Sequence, residues 1–111
     1  MRPEDRVRVA HMIDAADALA SFIRGRARAD LETDRQLLFA VVRAIEVIGE
    51  AGSKMSPEGR QAAPDIPWAA ITGMRNRLIH GYFDVDTDIV WNTASSEIPA
   101  LVPALTALAD S

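Results

Sequence analysis

Apolar residues recur at spacings of three and four along most of this chain, and no stretch alternates with the period of two expected of a half-buried strand. The pattern starts with a helix expected from about residue 3 to about residue 26, where Val9, Met12, Ile13, Ala16, Leu19, Ala20 and Ile23 form one apolar stripe. Pro3 suits a first helical turn, and Glu4 and Asp5 lie where the helix dipole favours negative charge. Gly25, within Arg24-Gly25-Arg26, loosens the far end. A second helix is expected from Thr33, because Thr33 and Gln36 have capping-box spacing. Leu37, Leu38, Val41, Ile45 and Ile48 form its buried stripe, and Arg43, Glu46 and Glu50 share another face. Gly49, Ala51 and Gly52 leave little bulk near its end, so another helix can approach closely there.

Ser56-Pro57-Glu58 reads as a cap, a proline start and a short helical turn. Pro67 opens the next helix, which carries Trp68, Ile71, Met74, Leu78 and Ile79 and is expected to end at Gly81. Asp86 or Thr87 caps a last helix bearing Val90, Ala94, Ile98, Leu101, Leu105 and Leu108. Pro99 and Pro103 interrupt it and deprive the carbonyls of Ser95 and Pro99 of their partners. A bend, or two shorter helices meeting near Ile98, is expected. The fold class is therefore all-α, an antiparallel bundle of four to five helices with short connections.

The 111 residues suit a single domain spanning 1–111. No apolar run is long enough for a membrane span, and the N-terminus leads into an amphipathic segment, so a cytoplasmic protein is expected. Cysteine is absent, which excludes disulfides and thiolate metal sites. The two histidines, His11 and His80, are far apart, and no pair of them has metal-ligand spacing. Neither a metal nor another cofactor is expected. The net charge of −4 lacks the broad basic surface of a nonspecific nucleic-acid binder. Positive charge is local: Arg24, Arg26 and Arg28, which read as a solvated surface, and then Arg75 and Arg77.

The informative segment is Met74-Arg75-Asn76-Arg77-Leu78-Ile79-His80-Gly81-Tyr82. Arg75 lies only about 40° from Ile71 on a helical wheel, which places a guanidinium on the stripe that should face the core. It either extends past the stripe to water or lines a cleft or subunit interface, since burial without partners is costly. His80 follows Asn76 by four residues, so the two share a face while the helix lasts, and Asn76 can orient the imidazole. Arg75 and His80 diverge by about 140° on an ideal helix. A loosened helix end or a second subunit has to bring them together.

These residues resemble the HepT-like branch of the HEPN superfamily, whose motif is Arg-x4-His-x-Tyr, here Arg75 through His80 to Tyr82, with asparagine directly after the arginine. The resemblance extends to Arg43-Ala44-Ile45-Glu46-Val47-Ile48-Gly49-Glu50-Ala51, to Ile66-Pro67-Trp68 with Gly73-Met74-Arg75-Asn76, and to Tyr82-Phe83-Asp84-Val85-Asp86 with Val90-Trp91. Ala44 departs from the pattern, where a polar residue, often asparagine, is expected.

The resemblance implies a HEPN-like bundle assembled as a two-fold homodimer, and a metal-independent endoribonuclease toxin of a type VII-like toxin–antitoxin pair. Arg75 and His80 are its implied catalytic residues, Asn76 a supporting one and Arg77 a candidate contact to RNA phosphate. Imidazole supplies a base and acid near neutrality, and a guanidinium supplies paired donors for a phosphorane. Because His80 is the only plausible titrating group, a dimer brings two imidazoles and two arginines to one cleft. The implied partner is an MntA-type nucleotidyltransferase antitoxin that transfers AMP to the motif tyrosine, Tyr82. The competing reading is a noncatalytic HEPN module that binds nucleotide or protein. A purely structural bundle leaves the placement of Arg75 unexplained.

Overall fold

The computed structural model describes residues 1–80 and 84–111, with residues 79, 80 and 84 described by their backbone alone. Helix α1 (Pro3–Ile23) ends three residues before the expected boundary, because Arg24 is extended and Gly25 adopts φ 74. That left-handed region is open to glycine without a Cβ clash. A single turn, α2 (Asp30–Thr33), follows, with the Ala27 amide donating to Asp30 Oδ2 at 2.7 Å.

Helix α3 (Arg35–Ser53) is capped by Asp34, whose carboxylate accepts from the Leu37 amide at 3.1 Å. The expected Thr33–Gln36 box is thus corrected. Thr33 closes α2, and a better acceptor sits one residue later at the true start.

Helix α4 (Pro57–Gln61) is capped as the sequence suggests, with Ser56 Oγ accepting from the Gly59 amide at 2.9 Å. The cap is itself held from α1. The Asp5 carboxylate accepts from the Ser56 amide at 2.9 Å and from its hydroxyl at 2.5 Å. Burial works to raise the Asp5 carboxyl, but the bonds from Ser56 outweigh it and hold the group below the usual carboxylate range. Gly59 is required by this approach, since a Cβ there would stand 2.6 Å from Asp5 Oδ2.

Helix α5 (Trp68–Leu78) follows Pro67, whose carbonyl accepts from the Ile71 amide at 3.0 Å. The Trp68 indole anchors its start by donating to the carbonyls of Arg60 and Ala63. The helix stops at Leu78, ahead of Gly81, which lies outside the described residues. Strands β1 (Ile79–His80) and β2 (Asp84–Val85) then pair antiparallel, Ile79 opposite Val85 and His80 opposite Asp84. The Asp86 amide closes the ladder onto Leu78 O at 2.8 Å.

Asp86 caps α6 (Thr87–Asn92), accepting from the amides of Asp88 and Ile89. A π-helical turn (Thr93–Glu97) leads directly into α7 (Ile98–Ala109), with the Ile98 amide donating to Thr93 O five residues back. The widened turn explains the junction expected near Ile98. Pro99 supplies no amide, and its ring crowds the carbonyl four residues earlier, so an ordinary turn is unfavourable there.

The bundle is built around α1, which packs against α3 on one side and α7 on the other, while α3 also packs against α5. Val9, Met12 and Leu19 of α1 meet Val41, Ile45 and Ile48 of α3, Ile71 and Leu78 of α5, and Ile98 and Leu105 of α7 in one buried cluster. The small end of α3 does allow close approach. A Cβ on Gly52 would stand 2.7 Å from Ile71 Cγ2, and one on Gly49 would stand 3.2 Å from Ile71 O. Ala44 is buried in this cluster. Among the described residues, no helix is long and apolar enough to cross a membrane.

Candidate active site

The last turn of α5 places Arg75, Asn76 and Arg77 in solvent, between the buried side chains of Met74 and Leu78. Arg75 both extends past the apolar stripe into solvent and lines a cleft. Its side chain is 58% exposed, and its Nε lies 3.5 Å from Glu46 Oε2 on α3. Arg43 Nη1 approaches the same carboxylate oxygen at 3.9 Å. Glu46, Glu50, Ser53, Thr72, Arg75 and Asn76 line a cleft of about 300 Å³ between α3 and α5, with Gly49 as its floor. The close approach of α3 to α5 at its glycines sets the spacing at which Glu46 reaches Arg75.

Asn76 borders a second cleft of about 480 Å³, shared with Arg77, Asp88, Ile89, Asn92 and Glu97. Arg77 Nη2 is paired with Glu97 Oε2 of the π turn at 3.2 Å. The two arginines therefore diverge, one toward α3 and the other toward the π turn, with Asn76 between them.

His80 is not on α5. The expectation that it shares a helical face with Asn76 is corrected, because the helix ends two residues earlier and the His80 backbone belongs to the β1–β2 ladder. Its imidazole, like Tyr82 as a whole, lies outside the described residues.

The arginines after α1 serve the fold. Arg26 Nη2 meets Asp34 Oδ2 at 2.8 Å, and Arg28 Nη1 meets Glu32 at 2.9 Å and Asp88 at 3.2 Å. The hydrogen bond from Arg26 is the leading cause holding the Asp34 carboxyl below its ordinary range, and that from Arg28 does the same for Glu32. These pairs tie α2 to the start of α3 and to α6. Reading this cluster as surface charge agrees with that arrangement.

Sequence alone did not connect Glu46 with Arg75 or Glu97 with Arg77. Glu46 was visible only as a neighbour of Arg43 on its own helix, and its second partner comes from a different element. Among the described residues, no three carboxylate or imidazole groups gather as a metal site.

A family profile described as "Ribonuclease HepT-like" matches residues 12–108, which covers most of α1 through nearly all of α7. The chain belongs to the HepT-like family. It is 38% identical over 88 residues to "Probable ribonuclease HepT" of Thermococcus cleftensis, covering 79% of this chain and 80% of that protein. It is also 38% identical over 91 residues to a protein of Caldanaerobacter subterraneus subsp. tengcongensis whose name assigns it provisionally as an RNase, covering 82% and 81% of the two chains. No solved structure matches the chain significantly. In this HepT-like chain the matched region contains the whole segment from Arg75 to Tyr82, together with both clefts beside it.

Proposed function

We propose that this HepT-like chain is a metal-independent endoribonuclease toxin in which Arg75 and His80 act on one RNA phosphodiester. The observation that carries the reading is the state of Arg75. Glu46 pairs with its Nε, whereas its terminal nitrogens have no partner among the described residues, and Arg75 lines a cleft. A planar guanidinium held at one nitrogen and open at the others suits a phosphate, which takes paired donors. The end of α5 at Leu78 supports the second half of the reading. The wide divergence of Arg75 and His80 on a continuous helix does not apply to a chain that has already left the helix.

In the proposed reaction the RNA 2′-hydroxyl loses its proton to one His80 imidazole, and its oxygen attacks the adjacent phosphorus. The bond from phosphorus to the 5′-oxygen breaks, and that oxygen takes a proton from a second His80. The products are a 2′,3′-cyclic phosphate and a 5′-hydroxyl. Arg75 stabilises the charge that develops on the non-bridging oxygens. One chain offers one such histidine, so the proposal includes a two-fold homodimer in which two His80 residues divide the base and acid roles. Asn76 supports the arrangement, and Arg77 reaches phosphate by exchanging its Glu97 partner, a surface pair that holds weakly. Regulation follows by AMP transfer to Tyr82 from an MntA-type antitoxin, which adds negative charge within a few residues of the arginines in sequence.

The test is cleavage of a defined RNA by the purified protein, with product ends identified by mass. The expected result is cyclic-phosphate and 5′-hydroxyl ends, abolished by Arg75→Ala with helical content unchanged. Products bearing 5′-phosphate, or full activity in Arg75→Ala, contradict the reading.

A further inference from the structure

A third cleft, of about 230 Å³, opens between α1 and α3, lined by Arg8, His11, Arg43, Val47, Glu50 and Lys54. Three cationic side chains and a histidine face one carboxylate there, in a chain whose net charge is −4. Glu50 is already engaged by Lys54 at 3.4 Å, and Arg43 reaches Glu46 only at 3.9 Å. The first is an exposed ion pair and the second a long, partly exposed one, and such pairs hold weakly and exchange readily with a stronger anion. The Arg8 Nε is buried and has no hydrogen-bond partner among the described residues. A buried guanidinium nitrogen left unpaired calls for an acceptor.

The cleft also neighbours the Arg75 centre. Glu50 lines both, and the Arg43 guanidinium approaches the same Glu46 oxygen that tethers Arg75. Arginines thus succeed one another from Arg75 on α5 through Arg43 on α3 to Arg8 on α1, with Lys54 at the end of α3 and the carboxylates of Glu46 and Glu50 among them. A single strand of nucleic acid presents phosphates in succession, and a groove lined by cationic side chains is the kind of surface that tracks such a backbone.

We infer that the α1–α3 cleft is a phosphate-binding subsite that holds the backbone of the RNA strand beyond the phosphodiester at Arg75. The inference rests on the ribonuclease reading for the identity of the strand. Arg8, His11, Arg43 and Lys54 contact phosphate and sugar, so the subsite contributes affinity and positioning with no preference for a base. Its effect grows with strand length, because a substrate spanning only the cleaved bond does not reach α1.

The experiment pairs two probes. Binding of an uncleavable 2′-O-methyl RNA strand is followed by anisotropy over a range of salt, and cleavage is compared between a long unmodified strand and a dinucleotide. The variant is His11→Gln with Lys54→Gln, both exposed positions, checked for wild-type helical content. The expected result is roughly tenfold weaker strand binding, with a log–log salt slope smaller by about 0.7 for each phosphate no longer neutralised. The advantage of the long strand over the dinucleotide should shrink, and Lys54→Arg alone should retain it. Unchanged strand affinity and salt slope overturn the inference. So does an equal fall for both substrates, which would place the residues' effect on the Arg75 centre instead. A wild-type protein that binds the strand through His11 and Lys54 but cuts nothing supports the subsite and sinks the ribonuclease reading, which separates the two.

Discussion

The guanidinium of Arg75 is tethered by one carboxylate, and the strength of that tether differs from its importance. An exposed pair at 3.5 Å contributes less than about 1 kcal/mol to folding. On the proposed mechanism its value lies in fixing where the terminal nitrogens stand, since misplacing a catalytic group by an ångström costs up to about a hundredfold in rate. Glu46→Gln keeps the volume and removes the charge. We expect it to lower kcat on RNA by about ten- to a hundredfold while leaving thermal stability nearly unchanged. Wild-type kcat in that variant would remove Glu46 from the site. Tyr82→Phe makes the complementary test of regulation. It should retain cleavage and resist neutralisation by the AMP-transferring antitoxin, and intact-mass spectrometry should find no AMP on it. Full incorporation into Tyr82→Phe would place the acceptor elsewhere. Arg75, His80 and Tyr82, the residues that the proposal names, stand out in the sequence because they fall within eight consecutive residues. Glu46 lies on a different helix, and only packing of α3 on α5 makes it a partner of Arg75.

That packing rests on missing side chains. A methyl on Gly52 would stand 2.7 Å from Cγ2 of Ile71, a fully buried and β-branched residue with one stiff rotamer. Gly52→Ala should therefore destabilise the protein by about 1–3 kcal/mol, after the small gain alanine brings to a helix. It should also slow cleavage by shifting Glu46 relative to Arg75. Gly73 on α5 makes the control, because a Cβ there meets nothing within 4 Å. Gly73→Ala should stabilise by up to about 1 kcal/mol. Urea unfolding of the two variants gives opposite signs on this account, and equal signs would contradict it. The long helices were legible from their apolar stripes and the cap at Ser56 from residue type, whereas the structure decides for Asp86 between the two candidates Asp86 and Thr87. The start of α3 was misread, because Thr33 and Asp34 are adjacent and both are good caps. The prolines announced a disturbance near Ile98, but its form as a π turn depends on how α6 and α7 share the core. A ladder of two residues per strand carries no alternation to read, so β1 and β2 had no signal.

At the scale of the molecule, the chain concentrates its positive charge while remaining acidic overall. Arg26 and Arg28 are spent on holding α2 in place, whereas Arg75 and the groups around Arg8 border clefts. A helical bundle and the location of the arginine centre followed from the sequence. The proposed meeting of His80 with Arg75 has no such signal, since it rests on where α5 ends and on the proposed second subunit. The proposed two-fold assembly should appear in light scattering as a dimer at micromolar concentration, and a monomer that still cleaves RNA would contradict the division of acid and base between two chains. The most direct measurement is the rate of RNA cleavage by wild type and by His80→Ala, each at equal concentration in EDTA. The account predicts that wild type cuts undiminished by the chelator and that His80→Ala does not cut. A His80→Ala protein as active as wild type, or wild-type activity lost to EDTA and restored by a divalent ion, would contradict it.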